Sequence, residues 1–252
     1  QHYGKSLPDY LQLADYKPPV MTRVHAGDGR LLAEYAIEKR VFVPIRAMPL
    51  RAVNAFLAAE DKNFFSYPGI DFTSVIRAIV VNLKNIGRGR RMVGASTIPQ
   101  QVAKNFLLTN EVSWERKVKE AILAFRIERA FSKSRILELY LNEIYLGFRS
   151  YGVAAAALNY FNKSLDELSI AEAAFLAALP KAPNNYNPVK HPSAARVRRD
   201  WVIGQMAKDS FITRAEATAA QAEPLALERR SETEYVQANF FSEEVRRELQ
   251  ER

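Results

Sequence analysis

The chain contains no cysteine, which excludes a disulfide framework, a thiolate metal site and a thiol nucleophile at once and leaves the redox compartment open. No apolar run reaches the roughly 18 residues that a membrane-spanning helix needs. Gln1 does not lead into a charged region followed by an apolar one, as a signal peptide would, and an opening on Gln rather than Met suggests a trimmed polypeptide. No internal repeat or low-complexity segment stands out. Acidic residues are missing altogether between Asp71 and Glu111, a stretch that holds Arg77, Lys84, Arg88, Arg90, Arg91 and Lys104. That stretch sits in a positive field.

What is present is 252 residues, 48% of them hydrophobic, enough for one sizeable core and a smaller appended lobe. Lys plus Arg number 36 against 28 Asp plus Glu, a formal +8 that favours nucleic acid, acidic lipid head groups or phosphorylated substrates. A nucleic-acid groove is disfavoured, because the basic stretch shows no basic-aromatic alternation and no recognised binding motif. Its first half carries Val75, Ile76, Ile79, Val80, Val81, Leu83 and Ile86 before Gly87. Two readings fit: a segment resting on a membrane surface, or an ordinary core helix followed by a solvated basic loop.

Residues 1–46 read as a β-prone segment. Val20 to Val24 and Leu31 to Tyr35 flank Gly27-Asp28-Gly29, and Arg40 to Val43 offers a third strand. From Pro49 the period changes. Leu50, Val53, Phe56 and Leu57 face one side of a helix that delivers Glu60 and Asp61 near its end. Further helices are predicted at 72–86, 99–107, 115–131, 133–145, 152–161, 168–179, 193–208 and 213–221. Capping boxes at Ser164 with Glu167, Ser169 with Glu172 and Thr213 with Glu216 support the later ones. The body, residues 47–222, is therefore mainly α with a small β-hairpin lobe before it. Residues 223–252, charged and weakly apolar after Pro224, read as a linker.

Four constellations could carry chemistry. Glu60-Asp61-Lys62-Asn63-Phe64-Phe65 places two carboxylates at a helix end, where one can act as a base while the other organises backbone or cations; an acidic helix end is the plain alternative. Gly94 to Gln101, followed by Lys104-Asn105, leads small residues, hydroxyls and amides into a helix start suited to an anion. Capping by Ser96 or Thr97 explains the hydroxyls but not Gln100-Gln101. Arg116 and Glu120 stand four apart, an ordinary helical ion pair or, with Lys117, part of a diphosphate site. Ile136 to Gly147 reads as a packed helix that ends at its glycine.

In this order the segments resemble the family 51 glycosyltransferases, the peptidoglycan polymerases of class A penicillin-binding proteins and monofunctional transglycosylases. Glu60-Asp61-x-x-Phe64 with Tyr67-Pro68-Gly69 is similar to the first family motif, and Gly94 to Gln101 with Lys104-Asn105 to the second. Arg116 to Glu120 resembles the third, Ile136 to Asn142 the fourth, and Ala155 to Lys163 the fifth. The hairpin and Leu179 to Pro183 look like flanks of the 1A type. Three positions depart from the family pattern: Tyr67 replaces a histidine, Pro99 a threonine and Asn162 a glycine. Tyr67 keeps an aromatic donor without a cation. Pro99 suits a helix opening and Asn162 a left-handed turn.

The resemblance implies a lysozyme-like helical fold and polymerisation of lipid II into β-1,4 glycan strands with inversion and release of undecaprenyl diphosphate. In it Glu60 deprotonates the acceptor hydroxyl. Glu120, with Arg116, Lys117 and Lys104, handles the departing diphosphate, leaving room for Mg²⁺ or Mn²⁺ there and for no organic cofactor. Asp61, Phe64, Tyr67, Ser96, Thr97, Gln100, Gln101 and Asn105 complete the implied substrate site. The implied partners are lipid II, the growing glycan, the membrane surface and regulators of cell-wall synthesis, at a periplasm-facing inner membrane with an anchor before Gln1 and a transpeptidase beyond Arg252. No Ser-x-x-Lys tetrad occurs, so β-lactam acylation is not expected of these residues. A lytic, lysozyme-like hydrolase and a wall-binding scaffold without turnover are the alternatives.

Overall fold

Pro49, extended at φ −62°, starts helix α1 (Leu50–Glu60), and the computed structural model describes this region together with residues 7–14, 16, 22–25, 27, 31–35, 39–48, 61–66, 96–108 and 114–228. Val53, Phe56 and Leu57 are buried as their spacing requires, but Leu50 is 75% exposed, because the first turn lies beyond the core. After α1 come α2 (Ile98–Leu107), α3 (Trp114–Ala130), α4 (Lys133–Glu143), α5 (Val153–Phe161), α6 (Ile170–Ala178), α7 (Pro192–Lys208) and α8 (Arg214–Ala222). Each expected helix from residue 99 onward is found within a few residues. The helix expected at 72–86 lies outside the described residues, as does the basic segment.

Strand content is small. β1 (Thr22–His25) pairs antiparallel with β2 (Leu31–Tyr35), the expected hairpin, and β3 (Lys39–Arg40) pairs in parallel with β4 (Ser150–Tyr151). The third strand is thus shorter than expected and joins the helical body instead of the hairpin. Val43 has no strand partner, but Asn142 on α4 supplies one in side-chain form. Its Oδ1 accepts from Val43 N–H at 2.8 Å and its Nδ2 donates to Val43 O at 2.9 Å. On the same helix Arg135 donates to the carbonyls of Leu13, Ala14 and Tyr16, Glu138 accepts from Ile45 N–H, and Glu143 meets Tyr16 and Arg40. The fourth motif is mainly structural, as its apolar spacing suggests.

One continuous buried core runs through the helices. α1 packs against both α6 and α7, which also pack closely on each other, and α2 packs against α3 and α4. Gly152, at φ 82°, lets α5 start where a Cβ would lie 2.5 Å from Asn142 O, an approach closed to other residues. Asn162 ends α5 in the left-handed conformation, φ 51° and ψ 36°, as expected of the residue standing for glycine. The three capping boxes form, although the one at Ser164 closes only a single 3-10 turn, Leu165–Glu167.

The segment after α8 departs from its expected role as a linker. Arg199, wholly buried, donates to Glu223 O at 2.7 Å and Gln221 O at 3.1 Å, capping α8. Leu225 and Leu227 pack on the core, and Glu228 N–H donates to Tyr160 O. Residues 223–228 therefore belong to the body; 229–252 lie outside the described residues.

Candidate active site

Glu60 is the last residue of α1, so its carboxylate projects past the helix end towards the opening of α2. There Gln101 Nε2 donates to Glu60 Oε2 at 2.7 Å, and Asp61 Oδ2 accepts from Ile98 N–H at 3.2 Å. Burial pushes the Glu60 carboxyl above its ordinary value; the Gln101 hydrogen bond, Arg198 and Lys181 oppose that, and Asp61 reinforces it. A carboxylate with raised proton affinity that is still hydrogen-bonded in its charged form is suited to take a proton.

α2 opens with a capping box in which Gln100 Oε1 accepts from Thr97 N–H at 3.0 Å, and Pro99 fits within its first turn. Thr97 and Gln100 are buried, so Gln100 stabilises the helix start while Gln101, the next residue round the helix, serves Glu60. Lys104 and Asn105 lie exposed further along α2.

On α3, Glu120 is 1% exposed and both its oxygens face cations: Lys117 Nζ at 2.8 Å from Oε1 and Arg116 Nη1 at 3.5 Å from Oε2. Lys117 Nζ also donates to Ser96 Oγ at 3.1 Å. The ion pair expected from the i,i+4 spacing is present, but the buried carboxylate serves two cations and is screened from any substrate hydroxyl. It holds Lys117, itself 45% exposed, against the start of α2. Both of those oxygens face cations, and among the described residues no group of three His, Cys, Asp or Glu could hold a metal, so a divalent cation beside Glu120 would have to be held largely by the substrate diphosphate.

Phe64 is fully enclosed, so its ring anchors the turn after Glu60 and does not face a ligand. Tyr67, Gly94 and Ala95 lie outside the described residues. Five further side chains were not placed in the site from the sequence, although Tyr140 falls in the fourth motif. Arg198 stacks on Trp201 at 3.8 Å, and burial lowers its pKa from the ordinary arginine value against the pull of Tyr186 and Glu60. Lys181 adds positive potential at Glu60 from the loop after α6. The Tyr140 hydroxyl, buried and without a hydrogen-bond partner, is raised well above a free phenol by burial and by Glu60 and Asp61. Glu128 and Lys133 pair at 2.6 Å beneath the turn. Glu128 could have been found, since it falls on the side of α3 that buries Ala124 and Ile127. Arg198 carries no local signal, and Lys181 falls within the Leu179 to Pro183 flank without being marked there as a site residue. A cavity of about 830 Å³ beside Phe211 and Arg214 lies where α7 meets α8 and includes none of these residues.

The transglycosylase family model matches residues 28–207. Penicillin-binding protein 1A of Rickettsia felis is 54% identical over 98% of this chain, and that of Aquifex aeolicus 46% identical over 96%; the chain spans 31% and 33% of those two proteins. The crystal structure of penicillin-binding protein 1A from Haemophilus influenzae matches with a TM-score of 0.51 at 28% identity, over 92% of this chain and 24% of that one. The mainly helical fold is thus shared, and the chain spans about a third of the length of the relatives it matches.

Proposed function

The chain belongs to the transglycosylase family, and from that premise we propose that it is a peptidoglycan glycosyltransferase that polymerises lipid II at a membrane surface. One observation carries the reading: the opening of α2 joins two carboxylates of opposite character. Gln101 holds Glu60, whose proton affinity is raised, and Ser96 receives the lysine that Glu120 orients.

The chemistry divides between them. Glu60 takes the proton of the acceptor sugar's 4-hydroxyl as that oxygen bonds to the anomeric carbon of the donor. The bond from that carbon to the lipid diphosphate breaks on the opposite face, which gives inversion, and the electron pair leaves on the diphosphate. Lys117 and Arg116, set by Glu120, meet the developing charge together with the exposed Lys104. The protein's own cations meet the leaving group, and no step is routed through a metal. A hydrolase of uncharged glycosidic bonds has no use for such a cation cluster.

Incubation with lipid II tests the assignment: long glycan is expected from the parent protein and about 10²-fold to 10⁴-fold less from Glu60→Gln. Short muropeptides from finished glycan would mark a lytic enzyme, and no product a scaffold. Either result, or parent-rate polymerisation by Glu60→Gln, overturns the proposal.

A further inference from the structure

The turn that follows Glu60 rests on a charge pair that plays no part in the chemistry assigned above. Glu128 lies in the last turn of α3 with its side chain 1% exposed, and Lys133 is the first residue of α4, so the corner between the helices brings their charges to 2.6 Å. The same ammonium lies 4.6 Å from the centroid of the enclosed Phe64 ring. Phe64 is tied back towards the site: its N–H donates to Asp61 O at 3.0 Å, and Asp61 N–H closes α1 on Leu57 O at 2.9 Å.

Stability alone does not account for this arrangement. Glu128 Oε2 is buried with no hydrogen-bond partner, and burial raises the proton affinity of that carboxyl despite Lys133. An ion pair whose carboxylate is enclosed with an oxygen left over is a poor stabiliser compared with apolar side chains of the same volume. A cation over a ring does what an apolar neighbour cannot: its attraction depends on the direction of the ring face, so it selects an orientation as well as filling space.

We propose that Lys133, clamped by Glu128, is a positioning residue that fixes the Phe64 ring and, through the Asp61 turn, the place of the Glu60 carboxylate. The inference rests on Glu60 acting as the base in glycosyl transfer. Its consequence is specific: removing the cation lets the turn wander without unfolding the body, and a base displaced by a fraction of an ångström loses turnover before it loses substrate.

The test uses the whole chain. Lys133→Met keeps the stem and removes the charge, and pairing it with Glu128→Gln avoids stranding a buried carboxylate. The double variant is expected to melt close to the parent while amide deuterium exchange across residues 61–66 quickens and that of α7 does not. With lipid II, kcat is expected to fall about tenfold to a hundredfold while KM stays within about twofold, and Lys133→Arg to recover most of the loss. Unchanged exchange over 61–66, parent kcat in the double variant, or no recovery by arginine would each overturn the assignment. Exchange requires no turnover, so a parent protein that makes no polymer defeats the glycosyltransferase reading and leaves exchange to decide the clamp.

Discussion

Glu60 and Glu120 are both carboxylates near the first turn of α2, yet their surroundings give them different work. Around Glu60 burial dominates, so its pKa stands above the ordinary 4.5. As a base it must be ionised, and kcat/KM is therefore expected to fall as pH drops through a value above that of a free glutamate. Gln101→Leu removes the hydrogen bond that opposes the rise, and pH–rate measurements should find the acidic limb moved further up. Stability carries the opposite sign. A folded-state pKa raised above the unfolded one stabilises below the unfolded pKa and is lost as pH rises through the folded pKa. At pH values above that raised pKa, where the group is charged, Glu60→Gln should thus melt higher than the parent, by about 2–4 °C per kcal/mol of relieved charge burial. Calorimetry at pH 7.5 and pH 4 should show that gain and then its disappearance. A scaffold that merely tolerates an acidic surface residue would show neither effect.

At the scale of elements, much was legible because it is local. Ser169 and Thr213 announce helix starts through side chains three residues apart, and Asn162 announces a stop, whereas the Thr97–Gln100 box corrects the expectation that capping leaves Gln100 unexplained. Asn162→Ala is expected to cost about 1–2 kcal/mol, read by chemical denaturation, because alanine lacks the local hydrogen bonds that make φ 51° tolerable, whereas Asn162→Gly should cost little. What was not legible is which consecutive residue does what. Gln100 and Gln101 read alike in sequence, and only the box at Thr97, which claims the first, assigns the second to Glu60. Leu50 follows the apolar period of α1 and is nonetheless exposed, since a period gives a helix its face but not the point where the core begins. Asn142 reads as a polar residue in an apolar helix. Asn142→Leu strands Val43 N–H and C=O and should cost about 1–3 kcal/mol, seen as faster deuterium exchange at residues 40–45.

For the whole molecule, charge and long-range contact matter most. The formal +8 predicts that binding to vesicles containing anionic lipid weakens as salt is raised from 50 to about 500 mM, measured by co-sedimentation. Arg198, Lys181 and Tyr140 come to Glu60 from α7, the loop after α6 and α4, meetings set by the packing of helices and invisible to any local pattern. The grip of α4 on the N-terminal residues has a mechanical side. Arg135 holds three carbonyls, Asn142 a fourth, and Glu143 takes Tyr16 and Arg40, so a pull on the chain ahead of residue 40 is borne by α4. That same helix carries Lys133 and Tyr140 beside the Glu60 turn. A force on these N-terminal residues would therefore pass through α4 to the turn that carries Glu60.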